Sequence, residues 1–311
     1  MANVFRARIV NLLGYGEKVT KRRNGGWTRD LYHLQLGTHS ATIKQRKRAL
    51  DVRSRDVRGK QVDSSTVTVT DILSLEEGIE IVDDLCWLLS LATQSSVMAY
   101  EFSLGRQKKW HPVQAVYNSW RPPFHSGIGK LSAFVEQAWP NYQRLKSSRP
   151  LSALIHMLDA SDLAGGLLEM KITASIQCLE SIKSYFALAE GSRLGIREDR
   201  YGRFLDSSGK EVPFERLLKL TLQDVGMALP PSFTRIKRLR NALIHRGFIR
   251  EVDDVTKYIF GTLQPGAMHT AMFEVMEDTQ DLLREYMLRL LGYKGDYWSY
   301  SKSGMEHRST I

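Results

Sequence analysis

Within Arg240-Asn241-Ala242-Leu243-Ile244-His245, an arginine and a histidine stand five positions apart, and both side chains suit phosphoryl chemistry. A histidine with an unperturbed pKa of about 6.5 donates or accepts a proton at neutral pH. An arginine stays charged and offers phosphoryl oxygens a planar fork of N–H donors. Asn241, one turn before His245, adds an amide that can orient the imidazole or contact a phosphate.

These residues need a helix to hold them. Pro230 and Pro231 precede Ser232, a candidate N-cap, and Gly247 is a candidate C-cap, so the spacing predicts a helix from Ser232 to Arg246. Turning successive residues by about 100° gathers Phe233, Ile236, Leu239, Leu243 and Ile244 on one apolar arc. Arg240 falls within that arc, while Asn241, His245 and Arg238 lie opposite, so Arg240 and His245 point about 140° apart. A buried arginine needs a partner, so Arg240 either meets a carboxylate in its own domain or faces a second chain. A rival register pairs Arg238 with His245 on one face.

Upstream, Leu163 to Glu190 carries a long helical pattern containing Leu179-Glu180-Ser181-Ile182. Together these stretches resemble the HEPN superfamily, whose motif is Arg-x4-6-His, and in particular its Apea-like branch with its LE-x-L stretch. The resemblance covers roughly residues 150–292. It implies an all-α bundle in which the Glu180 helix packs on the Arg240 helix, and a homodimer in which two motif copies meet in a composite cleft. It further implies metal-independent endoribonuclease activity on RNA, tRNA among the candidates, in bacterial defence against phage. Cleavage requires deprotonation of the 2′-hydroxyl, protonation of the leaving oxygen and neutralisation of charge at phosphorus, and His245 and Arg240 suit these roles. Glu180 is either an orienting carboxylate for Arg240 or half of a packing salt bridge. The alternative role for His245 is to complement the negative end of its helix, and the competing reading of the chain is a non-catalytic scaffold or nucleic-acid-binding module.

The net charge is +10, and it is placed unevenly. Residues 1–60 hold 15 Lys and Arg against 4 Asp and Glu, an excess of 11 positive charges that leaves the remainder near neutral. Such asymmetry points to a polyanion, most simply RNA, with Lys21, Arg22, Arg23, Lys44, Arg46, Lys47 and Arg48 as candidate contacts. A basic solvated sheet face is the alternative.

Length and composition predict two domains and a tail: a mixed strand and helix domain over 1–148, an all-α helical bundle over 149–293, and a poorly ordered tail over 294–311, an α+β chain overall. Strands are expected at Val4 to Leu13, Leu31 to Leu36, Ala41 to Arg48, Thr66 to Thr70, Val97 to Phe102 and Val113 to Tyr117. The segments Lys18 to Gly26 and Gly105 to His111 read as loops. Ser74 and Glu77 form a capping box ahead of a helix to about Thr93, and Ile128 to Leu145 reads as a helix kinked at Pro140. Further helices are expected at Leu151 to Leu158, Pro213 to Met227 and Met268 to Leu291.

Cys86 and Cys178 sit in apolar helical patterns as free thiols, and the histidines show no metal-ligand spacing, so neither a disulfide framework nor a metal or other cofactor is expected. Gly127-Ile128-Gly129-Lys130 lacks the P-loop spacing. No apolar run approaches ~18 residues and the N-terminus lacks a signal-peptide core, so no membrane partner and a cytoplasmic location are expected.

Overall fold

The computed structural model describes residues 4–14, 16–21, 27–50, 54–118, 121–124, 130–163, 167–246, 267–300 and 306–310, with only the backbone of 54–55 and 244–246. The fold is α+β. The chain divides into two units: Met1–Gln143, Asp162–Gly165 and Leu291–Trp298 make the first, and Arg144–Ser161, Gly166–Leu290 and Ser299–Ile311 the second.

In the first unit, β1 (Val4–Val10), β2 (Lys18–Lys21), β3 (Trp27–Leu36), β4 (His39–Gln45), β5 (Asp63–Thr70), β6 (Met98–Leu104) and β7 (Gln107–Trp110) form one sheet in the order β2-β3-β4-β5-β1-β6-β7. Every pairing is antiparallel. Alternation sends Phe5, Ala7, Ile43, Val67 and Val69 into the core, all at most 1% exposed. The other face carries polar side chains in register across the strands, as Lys44↔Thr66↔Arg8↔Glu101↔Trp110 illustrates. Short helices α1 (Lys47–Leu50) and α2 (Ser54–Val57) separate β4 from β5, and α4 (Lys130–Leu145) carries Pro140 within it.

Helix α3 (Leu75–Thr93) starts as the sequence predicts. Glu77 N–H donates to Ser74 Oγ at 3.1 Å, and the Glu77 carboxylate accepts from the Ser74 and Leu73 amides. The helix approaches β1 so closely at Gly78 that an added Cβ would overlap the Phe5 ring. In an open helix, Gly to Ala stabilises by about 0.5–1 kcal/mol. Here overpacking against a fully buried ring outweighs that gain, so Gly78→Ala is expected to lose at least about 1 kcal/mol in chemical denaturation. A gain in stability would contradict the close approach.

On the same helix, burial and then the neighbouring Asp84 push the Asp83 carboxyl up to about 6. The unfolded chain ionises first, so this group removes stability as pH rises from about 4 to about 6. Asp83→Asn should therefore stabilise at pH 8, by up to about 2 kcal/mol after solvent screening, and have little effect at pH 4. Melting curves at the two pH values check this; equal effects at both would contradict it.

The second unit is built from α5 (Leu151–Ser161), α6 (Leu168–Leu194), α7 (Phe214–Asp224), α8 (Phe233–Arg246) and α9 (Ala267–Leu290). Helix α6 packs against α5, α7 and α9, and buries Ile172, Ile176, Leu179, Ile182 and Phe186. Between α6 and α7, β8 (Arg197–Glu198) and β9 (Phe204–Leu205) form a small hairpin. Toward the end of the chain lie β10 (Asp296–Ser299) and β11 (Glu306–Ser309).

Several sequence expectations are corrected. β1 stops at Val10 because Asn11 turns left-handed, φ 65°, and its amide bonds the Val62 and Ser96 backbones. Lys18–Lys21 is an edge strand rather than loop. The expected strand over Ala41 to Arg48 ends at Gln45, and the Arg46 carbonyl accepts from Ala49 and Leu50, which puts Lys47 and Arg48 on α1. Gly105, φ 59°, closes a two-residue turn that folds Gln107–Trp110 onto β6. Val113 to Tyr117 joins no sheet, and its Tyr117 backbone bonds Gly59 and Lys60 instead. The segment read as a poorly ordered tail contains β10 and β11.

Candidate active site

Helix α8 buries Phe233, Ile236, Leu239 and Ala242, each at most 7% exposed, which fixes its rotation on the unit. The Ser232 carbonyl accepts the Ile236 N–H at its start, and the Ser232 hydroxyl bonds Asp278 on α9. Burial pushes the Asp278 carboxyl up, against the opposing effects of Ser232 and Arg235. Arg235 also meets Glu274 at 3.4 Å, and Lys237 meets Glu215 at 2.7 Å.

Arg240 points from this helix to α6. Its Nε donates to Glu180 Oε1 at 2.6 Å and its Nη1 to Asn241 Oδ1 at 2.9 Å. Its guanidinium lies over the Phe214 ring at 4.7 Å, and Phe214 in turn stacks on Phe233, with centroids 6.3 Å apart. Of the two partners expected for a buried arginine, the structure supplies the carboxylate within its own unit. The Arg240 side chain stays 19% exposed.

Glu180 is shared. Its Oε2 accepts from Lys183 Nζ at 2.7 Å, and the Lys183 ammonium sits 5.5 Å from the Phe214 centroid and 6.0 Å from that of Phe204. One carboxylate thus holds two cations, so the trio carries an excess positive charge against a low-dielectric aromatic wall. This arrangement orients a guanidinium and favours an anion beside it. Lys183, 8% exposed, escaped the sequence reading, although its position three residues after Glu180 is an ion-pair spacing. Phe214 follows Pro213 at the start of α7, and nothing in its local sequence ties it to Arg240.

The remaining predicted residues are placed as follows. Asn241 and Arg238 are half-buried on α8. His245 lies in the last turn of α8, and its side chain is outside the described residues. Lys44 is exposed on β4, Lys21 ends edge strand β2, and Lys47 and Arg48 are exposed on α1. Arg46 is tied by its guanidinium to Asp63, and Arg22 and Arg23 lie outside the described residues. Of these candidate nucleic-acid contacts, Lys21, Lys44, Lys47 and Arg48 thus fall on three elements, β2, β4 and α1.

Cys86 and Cys178 are buried free thiols; burial raises both, Cys178 to about 12, so neither is a ready nucleophile. Among the described residues no cluster of three or more His, Cys, Asp or Glu is arranged to hold a metal ion, and no helix is long and apolar enough to cross a membrane. No protein-family model, curated protein or solved structure matches the chain.

Proposed function

We propose that the protein is a metal-independent endoribonuclease of HEPN type that cleaves RNA by attack of the 2′-hydroxyl on the adjacent phosphate. The observation that carries this reading is the Arg240–Glu180 pair, which joins the motif helix to the helix bearing Leu179-Glu180-Ser181-Ile182 and leaves the guanidinium partly exposed. In this account Arg240 neutralises the phosphorus transition state and His245 transfers the proton, with Asn241 steadying the arrangement. The 2′-oxygen to phosphorus bond forms as the 5′-oxygen leaves, giving a 2′,3′-cyclic phosphate and a 5′-hydroxyl. Glu180 and Lys183 position the guanidinium and do not touch substrate.

The active species is a homodimer whose two α8 motifs share one cleft, acting in the cytoplasm in bacterial anti-phage defence, with tRNA a candidate substrate and a phage-derived component a candidate trigger. One observation favours a second reading, a non-catalytic HEPN scaffold or partner-binding module: two arms of the Arg240 fork are already engaged by Glu180 and Asn241. The two readings separate on product chemistry. Incubation with total RNA and tRNA in EDTA, with and without phage lysate, is expected to yield fragments ending in cyclic phosphate. Intact RNA under every condition, with the protein bound to it, would select the module.

A further inference from the structure

We infer that the open face of the seven-stranded sheet is a binding platform for single-stranded nucleic acid, with phosphates held by the sheet's cations and a base stacked on Trp110. The register places the chemistry. One row crosses every strand, from Lys18 on β2 through Leu31, Lys44, Thr66 and Arg8 to Glu101 and Trp110 on β7. Its neighbour runs from His33 through Thr42, Thr68 and Arg6 to Ser103 and Lys108. These two rows hold Lys18, Lys44, Arg6, Arg8 and Lys108 against one carboxylate of their own, Glu101, with Asp63 beside Arg8 as a second, while the opposite face of the same strands is core.

The cations and aromatics are arranged rather than scattered. Arg8 donates to Glu101 at 2.9 Å and to Asp63 at 2.5 Å, and its guanidinium lies 5.0 Å from the Tyr100 centroid. Asp63 also binds Arg46 and the Tyr100 hydroxyl, so Arg8 is fixed at the centre of the face. Trp110, 64% exposed on edge strand β7, presents an uncovered ring at one end of the row. Six strand steps from β2 to β7 span about 29 Å at the ordinary strand spacing. A positive surface of that reach with an exposed aromatic matches the charge of a phosphate backbone, and a ring can stack only on an unpaired base. Threonine hydroxyls between the cations supply both donors and acceptors. A duplex hides its base faces and leaves Trp110 without a partner.

The inference stands apart from the ribonuclease reading, because single-stranded DNA has no 2′-hydroxyl to attack and tests binding alone. Full-length protein is titrated into labelled ~12-nucleotide oligouridine, oligothymidine and a duplex of equal length. Two variants of equal charge change are compared: Arg6→Glu with Lys44→Glu on the face, and Lys47→Glu with Arg48→Glu on α1. Both single strands are expected to bind more tightly than the duplex. The face variant should lose about 10-fold or more in affinity with a shallower salt dependence, and the α1 variant at most about 3-fold. Trp110→Ala should lose about 5-fold or more with an unchanged salt slope. Equal losses in the two charge variants, equal or tighter duplex binding, no effect of Trp110→Ala, or no binding by wild type would each overturn the platform. Melting curves confirm that every variant is folded.

Discussion

Replacing Arg149 with methionine is expected to destabilise the protein by about 3 kcal/mol. Arg149 is 4% exposed and joins three helices of the second unit: it meets Glu190 at the end of α6 at 3.6 Å, Asp224 at the end of α7 at 3.5 Å, and the Tyr286 hydroxyl on α9 at 3.2 Å. The face of Phe186 completes its surroundings, 5.7 Å away. Breaking a buried charge pair costs about 3–5 kcal/mol because the partner charge is left behind. Two features hold the expectation at the lower end. Glu190 and Asp224 keep 30% and 28% exposure, and Arg193 already bridges both, at 2.9 and 3.2 Å. Methionine keeps most of the volume, so the loss reports charge rather than a cavity. Adding Glu190→Gln and Asp224→Asn should recover much of it, since the two carboxylates then no longer repel. Denaturant titration of the three proteins measures this; a loss below about 1 kcal/mol, or no recovery, would contradict the network.

Arg240→Ala is the second large expectation, lowering RNA cleavage by about 100-fold or more. The fold should survive, because Glu180 keeps Lys183 as a partner at 2.7 Å and the Phe214–Phe233 stack remains. Arg240→Lys should restore little, since an ammonium lacks the planar fork that meets both Glu180 and a phosphoryl oxygen. Glu180→Gln should cost only about 10-fold, because the amide can still accept from Nε while losing the charge that fixes it. If Arg240 acts only as a packing arginine, the three variants will differ in melting temperature and leave cleavage per folded molecule unchanged.

What could be read in the sequence was local. The Ser74–Glu77 capping box and the start of α8 just after Ser232 follow from spacings of a few residues, and the structure contains both; of the two partners open to Arg240, a carboxylate of its own domain or a second chain, it holds the carboxylate. What could not be read depends on residues far apart in the chain. Phe214 reaches Arg240 only because α7 turns beside α6, and Lys183 looks like an ordinary polar residue until Phe204 and Phe214 surround it. Edge strands β2 and β7 are exposed along nearly their whole length, so they lack the apolar alternation that reveals a strand. The two rows of the open face appear only when the strand order is known, since Arg8 and Lys44 become neighbours across Thr66 through pairings that span dozens of residues. The basic bias of residues 1–60 was visible as a sum, whereas its distribution over β1, β2, β4 and α1 was not.

The most direct measurement of the central claim is RNA cleavage in EDTA by wild type and His245→Ala, with RNA affinity measured on both. Wild type is expected to cut, alone or once phage lysate supplies the trigger, and the variant to cut about 100-fold or more slowly at unchanged affinity. Equal cleavage by the two proteins, or RNA left intact by wild type in the presence of lysate, would contradict it.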